Sequence, residues 1–180
     1  GRTHRLMSDL VATTSAVPMR SSPFLSRVAL TVRAGRPLLP ANPLVTVQSE
    51  VVGGRTFVRL WFTTVGCSHD RQGHCTMCNY GRGQAVSADA VTGAVSEALR
   101  SLGTTGGTLL LSPSGSMFDD REVAPDLRRA LWALARESAF DRILTESRAE
   151  LVNESVVQEA RSLLGDKELA IEIGLESSDP

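Results

Sequence analysis

Arg55-Thr-Phe-Val-Arg-Leu-Trp-Phe-Thr-Thr64, running through Val65-Gly66 into Cys67-Ser-His-Asp-Arg-Gln-Gly-His-Cys75-Thr-Met-Cys78-Asn-Tyr-Gly81, is the stretch from which the fold can be read. Its first ten residues are rich in β-branched and aromatic side chains, which favour an extended chain. Upstream, Val45, Val47, Val51 and Val52 form a second such run, and Gly53-Gly54 separates the two. Two β-rich runs about a Gly-Gly pair predict a hairpin whose second strand ends at the cysteine loop.

Downstream the pattern changes from a period of two to one of 3.6. Ser87 is a suitable N-cap, and Val91, Val95, Ala98, Leu99 and Leu102 form an apolar stripe that stops before Gly103. Thr108-Leu-Leu-Leu-Ser112 reads as a strand, and Pro125 opens a helix carrying Leu127, Ala130, Leu131, Leu134 and Ala135. Arg142-Ile-Leu-Thr145 is a further strand. Asn153 caps a helix through Val156, Val157, Ala160, Leu163 and Leu164 up to Gly165, and Glu168-Leu-Ala-Ile-Glu-Ile-Gly174 is the last strand. Such β-loop-α alternation implies an α/β protein with a parallel sheet wrapped by helices. The polar stretches then follow strands: the cysteine loop, Ser112-Pro-Ser-Gly-Ser116, Glu146-Ser-Arg148 and Glu176-Ser-Ser-Asp179. Carboxyl ends of parallel strands are where α/β proteins place their sites, so the four loops are expected on one rim.

Residues 1–45, with Pro18, Pro23, Pro37, Pro40 and Pro43, read as an irregular N-terminal arm with a short helix around Met7–Thr13, and residues 46–180 as the sheet-bearing domain. The last strand lacks a following helix, and the expectation is a piece of a longer protein, cut after the fourth parallel strand.

The 180 residues are 42% apolar and 22% charged, with a net charge of −1. That is enough chain for one sizeable core, and it gives no electrostatic case for a surface that coats nucleic acid. Aromatic residues make up only 4%, which weakens any base-stacking surface. No apolar run is long enough to span a bilayer. The three cysteines Cys67, Cys75 and Cys78 all lie in one loop, a poor disulfide framework that points to a reducing cytoplasm. Three thiolates spaced C-x7-C-x2-C can ligate three irons of a 4Fe–4S cluster and leave the fourth open to a ligand, whereas clusters that only carry electrons are normally fully ligated. The rival is a structural zinc site with His69 or His74 as fourth ligand, although zinc modules usually pair two knuckles and only one is present.

At these residues the chain resembles the radical S-adenosylmethionine (SAM) superfamily. Within it, the long first cysteine gap, Cys75-Thr-Met-Cys-Asn-Tyr80, Ser114-Gly-Ser-Met-Phe-Asp119, Thr145-Glu-Ser-Arg-Ala-Glu150 and Ile173-Gly-Leu-Glu-Ser177 resemble the branch of the elongator catalytic subunit and the archaeosine-type tRNA enzymes. The resemblance implies a partial (β/α) barrel, a 4Fe–4S cluster on Cys67, Cys75 and Cys78, and SAM held by Ser114, Gly115, Ser116, Glu146 and Glu176. It implies an enzyme that cleaves SAM reductively to a 5′-deoxyadenosyl radical, fed by an electron donor such as flavodoxin or ferredoxin. The substrate is then a tRNA base or, alternatively, a small molecule or peptide; a non-catalytic zinc-binding module is the other alternative. Two positions depart from the commonest motifs: Met77 stands where an aromatic is usual, and Ser114-Gly115-Ser116 where Gly-Gly-Glu is frequent.

Ordinary structural roles are expected elsewhere. Trp61 and Phe62 read as packing residues, His69 as a hydrogen-bonding loop residue, and Asp119 and Asp120 as helix-start charges. Arg148 is expected to pair with Glu146 or another nearby carboxylate.

Overall fold

The computed structural model of the protein describes residues 44–73, 80–103 and 106–174. The expected N-terminal arm, with its helix around Met7–Thr13, and the residues Cys75, Cys78 and Glu176 lie outside the described residues.

Strand β1 (Val45–Val52) and strand β2 (Arg55–Phe62) form an antiparallel hairpin in which Val52 pairs with Arg55 and Val45 with Phe62. Gly53 and Gly54 connect them, both with positive φ (59° and 79°). A two-residue turn of that hand matches the twist of the flanking strands, and two successive positive φ values are what glycine supplies without strain. A single helical turn, α1 (Ser68–Arg71), and a 3-10 turn (Tyr80–Arg82) precede helix α2 (Ala88–Leu102). Then come β3 (Thr108–Pro113), α3 (Pro125–Glu137), β4 (Arg142–Ser147), a second 3-10 turn (Ala149–Leu151), α4 (Glu154–Leu164) and β5 (Glu168–Ile173). The sheet order is β1-β2-β3-β4-β5, and every pairing after the hairpin is parallel. The α/β class and the parallel sheet expected from the sequence are therefore present.

The helix boundaries follow local chemistry. Ser87 Oγ accepts from the Ala90 amide at 3.2 Å, Asn153 Oδ1 accepts from the Val156 amide at 3.2 Å, and Pro125 occupies the first turn of α3.

Alternation along each strand separates two faces of the sheet. Val58, Leu60 and Phe62 of β2, Leu109 and Leu111 of β3 and Ile143 of β4 share a core with Val91 and Val95 of α2, Leu127, Leu131 and Trp132 of α3, and Ala160 and Leu164 of α4. Arg59, Trp61, Ser112, Glu146 and Glu172 alternate with the core-facing residues and occupy the other face. Phe62 is buried as expected, while Trp61 is half-buried. No helix among the described residues is long and apolar enough to cross a membrane.

Candidate functional site

The loops after β2, β3 and β4 meet at the carboxyl end of the sheet, and a partly buried ion cluster joins them. Its centre is Arg148, one residue past β4. Its Nη1 donates to Glu122 Oε1 at 2.9 Å and to Cys67 Sγ at 3.5 Å, and its Nη2 donates to Asp119 Oδ2 at 2.7 Å and to Ser68 Oγ at 3.3 Å. Nε donates to Glu150 Oε1 at 2.8 Å, and the Arg148 amide donates to Ser116 Oγ at 3.3 Å.

Glu122, whose side chain is 0% exposed, closes the arrangement from the β3 side. One carboxylate oxygen accepts from the Ser68 amide at 2.7 Å and the other from the Ser116 amide at 2.6 Å. A single carboxylate thus ties the start of the cysteine loop to the loop after β3. Asp119, also buried, accepts from Ser68 Oγ at 2.8 Å and from Arg121 through its amide and guanidinium. Burial acts to raise the Asp119 pKa, but hydrogen bonds from Arg121, Ser68 and Arg148 outweigh it and hold the carboxyl well below the usual carboxylate range. Arg148 shows the converse balance: burial acts to lower its pKa, and its bonds to Glu122, Glu150 and Asp119 raise it.

The cysteine loop is also tied across its own ends. The Cys67 amide donates to the Tyr80 carbonyl at 2.9 Å, and the Gly81 amide donates to Asp70 Oδ2 at 2.6 Å. Cys67 itself is half-buried.

The expected site residues divide as follows. Cys67, Gly115 and Ser116 come together at the cluster. Ser114 is bound inward: its amide donates to the Phe62 carbonyl at 3.1 Å and its carbonyl accepts from Thr64 Oγ1 at 3.2 Å. Gly115 was expected among the residues that hold SAM; the space a Cβ would take there is filled by Glu122 Oε2, with Cys67 Cα at 3.5 Å. The close approach is to a carboxylate of the protein.

Glu146 stands apart from this cluster. It was expected in a loop, but β4 continues through Ser147, so Glu146 lies within the strand, paired in register with Glu172, on the face away from the helices. Its carboxylate accepts from the Ser112 hydroxyl. Burial raises its pKa, with Glu172 adding to the effect and the Ser112 bond and Arg59 opposing it. Arg148 does not pair with Glu146; its partners are Glu122, Asp119 and Glu150.

Asp119 and Glu122 are the two buried carboxylates of the cluster. Asp119 was read as a helix-start charge and is instead buried in the cluster. Glu122 has no role assigned to it in the sequence reading. The signal that could have marked it is the run Asp119-Asp120-Arg121-Glu122, a dense set of charges placed after a strand and not on a helix face.

Two curated proteins are similar to this chain. Archaeosine synthase subunit beta of Thermococcus kodakarensis is 33% identical over 123 residues, which covers 64% of this chain and 38% of the relative. Archaeosine synthase subunit beta of Methanosarcina acetivorans is 30% identical over 122 residues, covering 65% of this chain and 35% of the relative. The chain therefore spans less than two fifths of the length of these curated relatives. No protein-family profile matches it, and no solved structure does.

These findings correct the assignment drawn from the sequence motifs. Both relatives are named as a subunit of archaeosine synthase, and neither is named as a radical SAM protein. Of the three cysteines only Cys67 is among the described residues, and those residues contain no group of three or more His, Cys, Asp or Glu placed to hold a metal ion. The superfamily assignment with its elongator-like branch is accordingly set aside. So are the enzyme class, the reductive cleavage of SAM with its alternatives, and the iron–sulfur motif as a mark of that superfamily.

Proposed function

We propose that this chain is part of a subunit that serves the formation of archaeosine in tRNA, with the carboxyl rim of its parallel sheet as a ligand-binding edge. The observation that carries the reading is the pair of relatives from two archaea, both named archaeosine synthase subunit beta, at 33% and 30% identity. The junction of three strand-end loops at Arg148 supports the rim as the place of binding, since ligands of open α/β sheets bind outside the carboxyl ends of the strands. A subunit works with another polypeptide, so a second protein chain and tRNA are the partners proposed, in the cytoplasm. The parallel order β2-β3-β4-β5 with helices on one face further supports reading the sheet as a segment of a (β/α) barrel.

The cofactor expectation is carried as a proposal about binding alone: a thiolate-ligated iron–sulfur cluster on Cys67, Cys75 and Cys78, with S-adenosylmethionine near Ser114, Gly115, Ser116, Glu146 and Glu176. Cys67 fits, because its thiol is half-buried at the rim and has an N–H donor beside it. The amides of Ser114 and Ser116 fit less well, because both already donate within the protein.

The test is genetic and chemical. The gene is deleted in its own organism, and tRNA is digested to nucleosides and analysed by mass spectrometry. The expected outcome is loss of archaeosine and its restoration by the full-length protein. An unchanged nucleoside profile in the deletion strain refutes the proposal. Iron and sulfide analysis of the protein purified without oxygen decides the bound group.

A further inference from the structure

We infer that Arg148 is a positioning residue for Cys67: it fixes where the sulfur stands at the rim and takes no part in binding a ligand itself. A guanidinium has five N–H groups and no acceptor. In Arg148 they are directed at five acceptors, namely Glu150, Cys67, Glu122, Ser68 and Asp119. An arginine that recognises a substrate keeps one edge of its fork open for a carboxylate or phosphate. Both edges of this one are committed to the protein.

The geometry of those commitments is specific to one neighbour. Arg148 contacts Cys67 through its sulfur and Ser68 through its hydroxyl, so it touches the first two residues of the cysteine loop directly. It also contacts Glu122, which holds the Ser68 amide, and Asp119, which holds the Ser68 hydroxyl. Each of the two carboxylates therefore grips the loop and is itself gripped by the guanidinium. Its own amide is anchored to Ser116 on the next loop. Lysine cannot reproduce this, because an ammonium offers three donors about one point and lacks the planar fork. The inference rests on the reading of the rim as the binding edge, and it is tested without reference to tRNA, so the two can fail separately.

The experiment measures access to each cysteine. Trypsin cleavage after Arg59, Arg71 and Arg82 places Cys67 alone in the peptide Leu60–Arg71, and Cys75 with Cys78 in the peptide Gln72–Arg82. The full-length protein and its Arg148→Lys and Arg148→Ala variants are alkylated briefly at about pH 10, above the usual thiol range, so that the rate reports access and not ionisation. Arg148→Lys is expected to keep a cooperative thermal transition, and to label Cys67 about fivefold faster or more while the Gln72–Arg82 peptide labels as in the wild type. Arg148→Ala is expected to do the same to a greater degree. Wild-type labelling of Cys67 in Arg148→Lys would mean that charge alone suffices, and would overturn the inference. Equal acceleration in both peptides would also overturn it, since Arg148 would then support the domain as a whole.

Discussion

Replacing Gly115 with alanine is the sharpest test of the packing described at the rim. A Cβ at this position overlaps Glu122 Oε2, and the backbone has φ +153°, a region L residues rarely adopt. Glu122 is 0% exposed and holds the Ser68 and Ser116 amides as well as Arg148, so its carboxylate cannot retreat without breaking bonds. Hydrogen bonds to a charged group contribute about 1.5–3 kcal/mol each, and losing one or two of them removes about 1.5–6 kcal/mol. The backbone conformation adds about 1–3 kcal/mol for a non-glycine residue. Partial relaxation reduces the sum, and the expected loss is about 3–5 kcal/mol, or roughly 6–20 °C in Tm for a domain of this size. Urea and thermal unfolding followed by circular dichroism measure it. The cause is isolated by repeating the substitution in a Glu122→Ala background, where only the backbone cost of about 1–3 kcal/mol should remain. A Gly115→Ala variant within about 1 kcal/mol of the wild type, or an equal cost in both backgrounds, would refute the reasoning.

Two further outcomes follow from the side-chain contacts. The folded-state pKa of Glu146 is raised, chiefly by burial, so the stability associated with its protonated form is complete below its unfolded value and is lost as pH rises through the folded one. Glu146→Gln should therefore be neutral or more stable at pH 7 and should flatten the pH dependence above the ordinary carboxylate range; unfolding free energies from about pH 4 to 8 test this, and a loss above about 1 kcal/mol at pH 7 would contradict it. Lys167 Nζ donates to the carbonyls of Ser138 and Phe140 at 2.6 Å each, across the connection between α3 and β4. Lys167→Met should cost about 1–3 kcal/mol by urea unfolding, and a cost under about 0.5 kcal/mol would show that water replaces the ammonium there.

Much of the framework is legible in the chain because its determinants are local. The Gly53-Gly54 turn, the caps Ser87 and Asn153 and the Pro125 helix start each act within four residues of themselves, and all four are present in the structure. The strand ends are harder to read. The run Arg142-Ile-Leu-Thr145 stops short of Glu146 and Ser147, which carry no local strand signal of their own, whereas the strand runs to Ser147. Its continuation to Ser147 depends on pairing with β5, which supplies Glu172 and Ile173 as partners. The ion cluster was illegible for a different reason. A buried Glu and a solvated Glu are the same letter, and what distinguishes Glu122 is its contact with Ser68, a residue 54 positions earlier. Charges gain their meaning from distant partners, and one sequence does not display those partners. The motif resemblance points to Cys67, Gly115 and Ser116, and the structure adds Glu122 as the neighbour for which Gly115 leaves room.

The hairpin bears on the order in which the chain assembles. Closing a two-residue turn between Val52 and Arg55 costs little chain entropy and takes microseconds, whereas bringing Phe57 to Thr108 must first close a loop that contains the cysteine segment and α2. β2 can therefore be straightened and held in register by β1 before any parallel partner arrives. A nascent chain leaving the ribosome would carry this ribbon as a template, on which β3, β4 and β5 add in the order they are synthesised. The antiparallel edge thus gives a sheet of slow, long-range pairings a rapid local start.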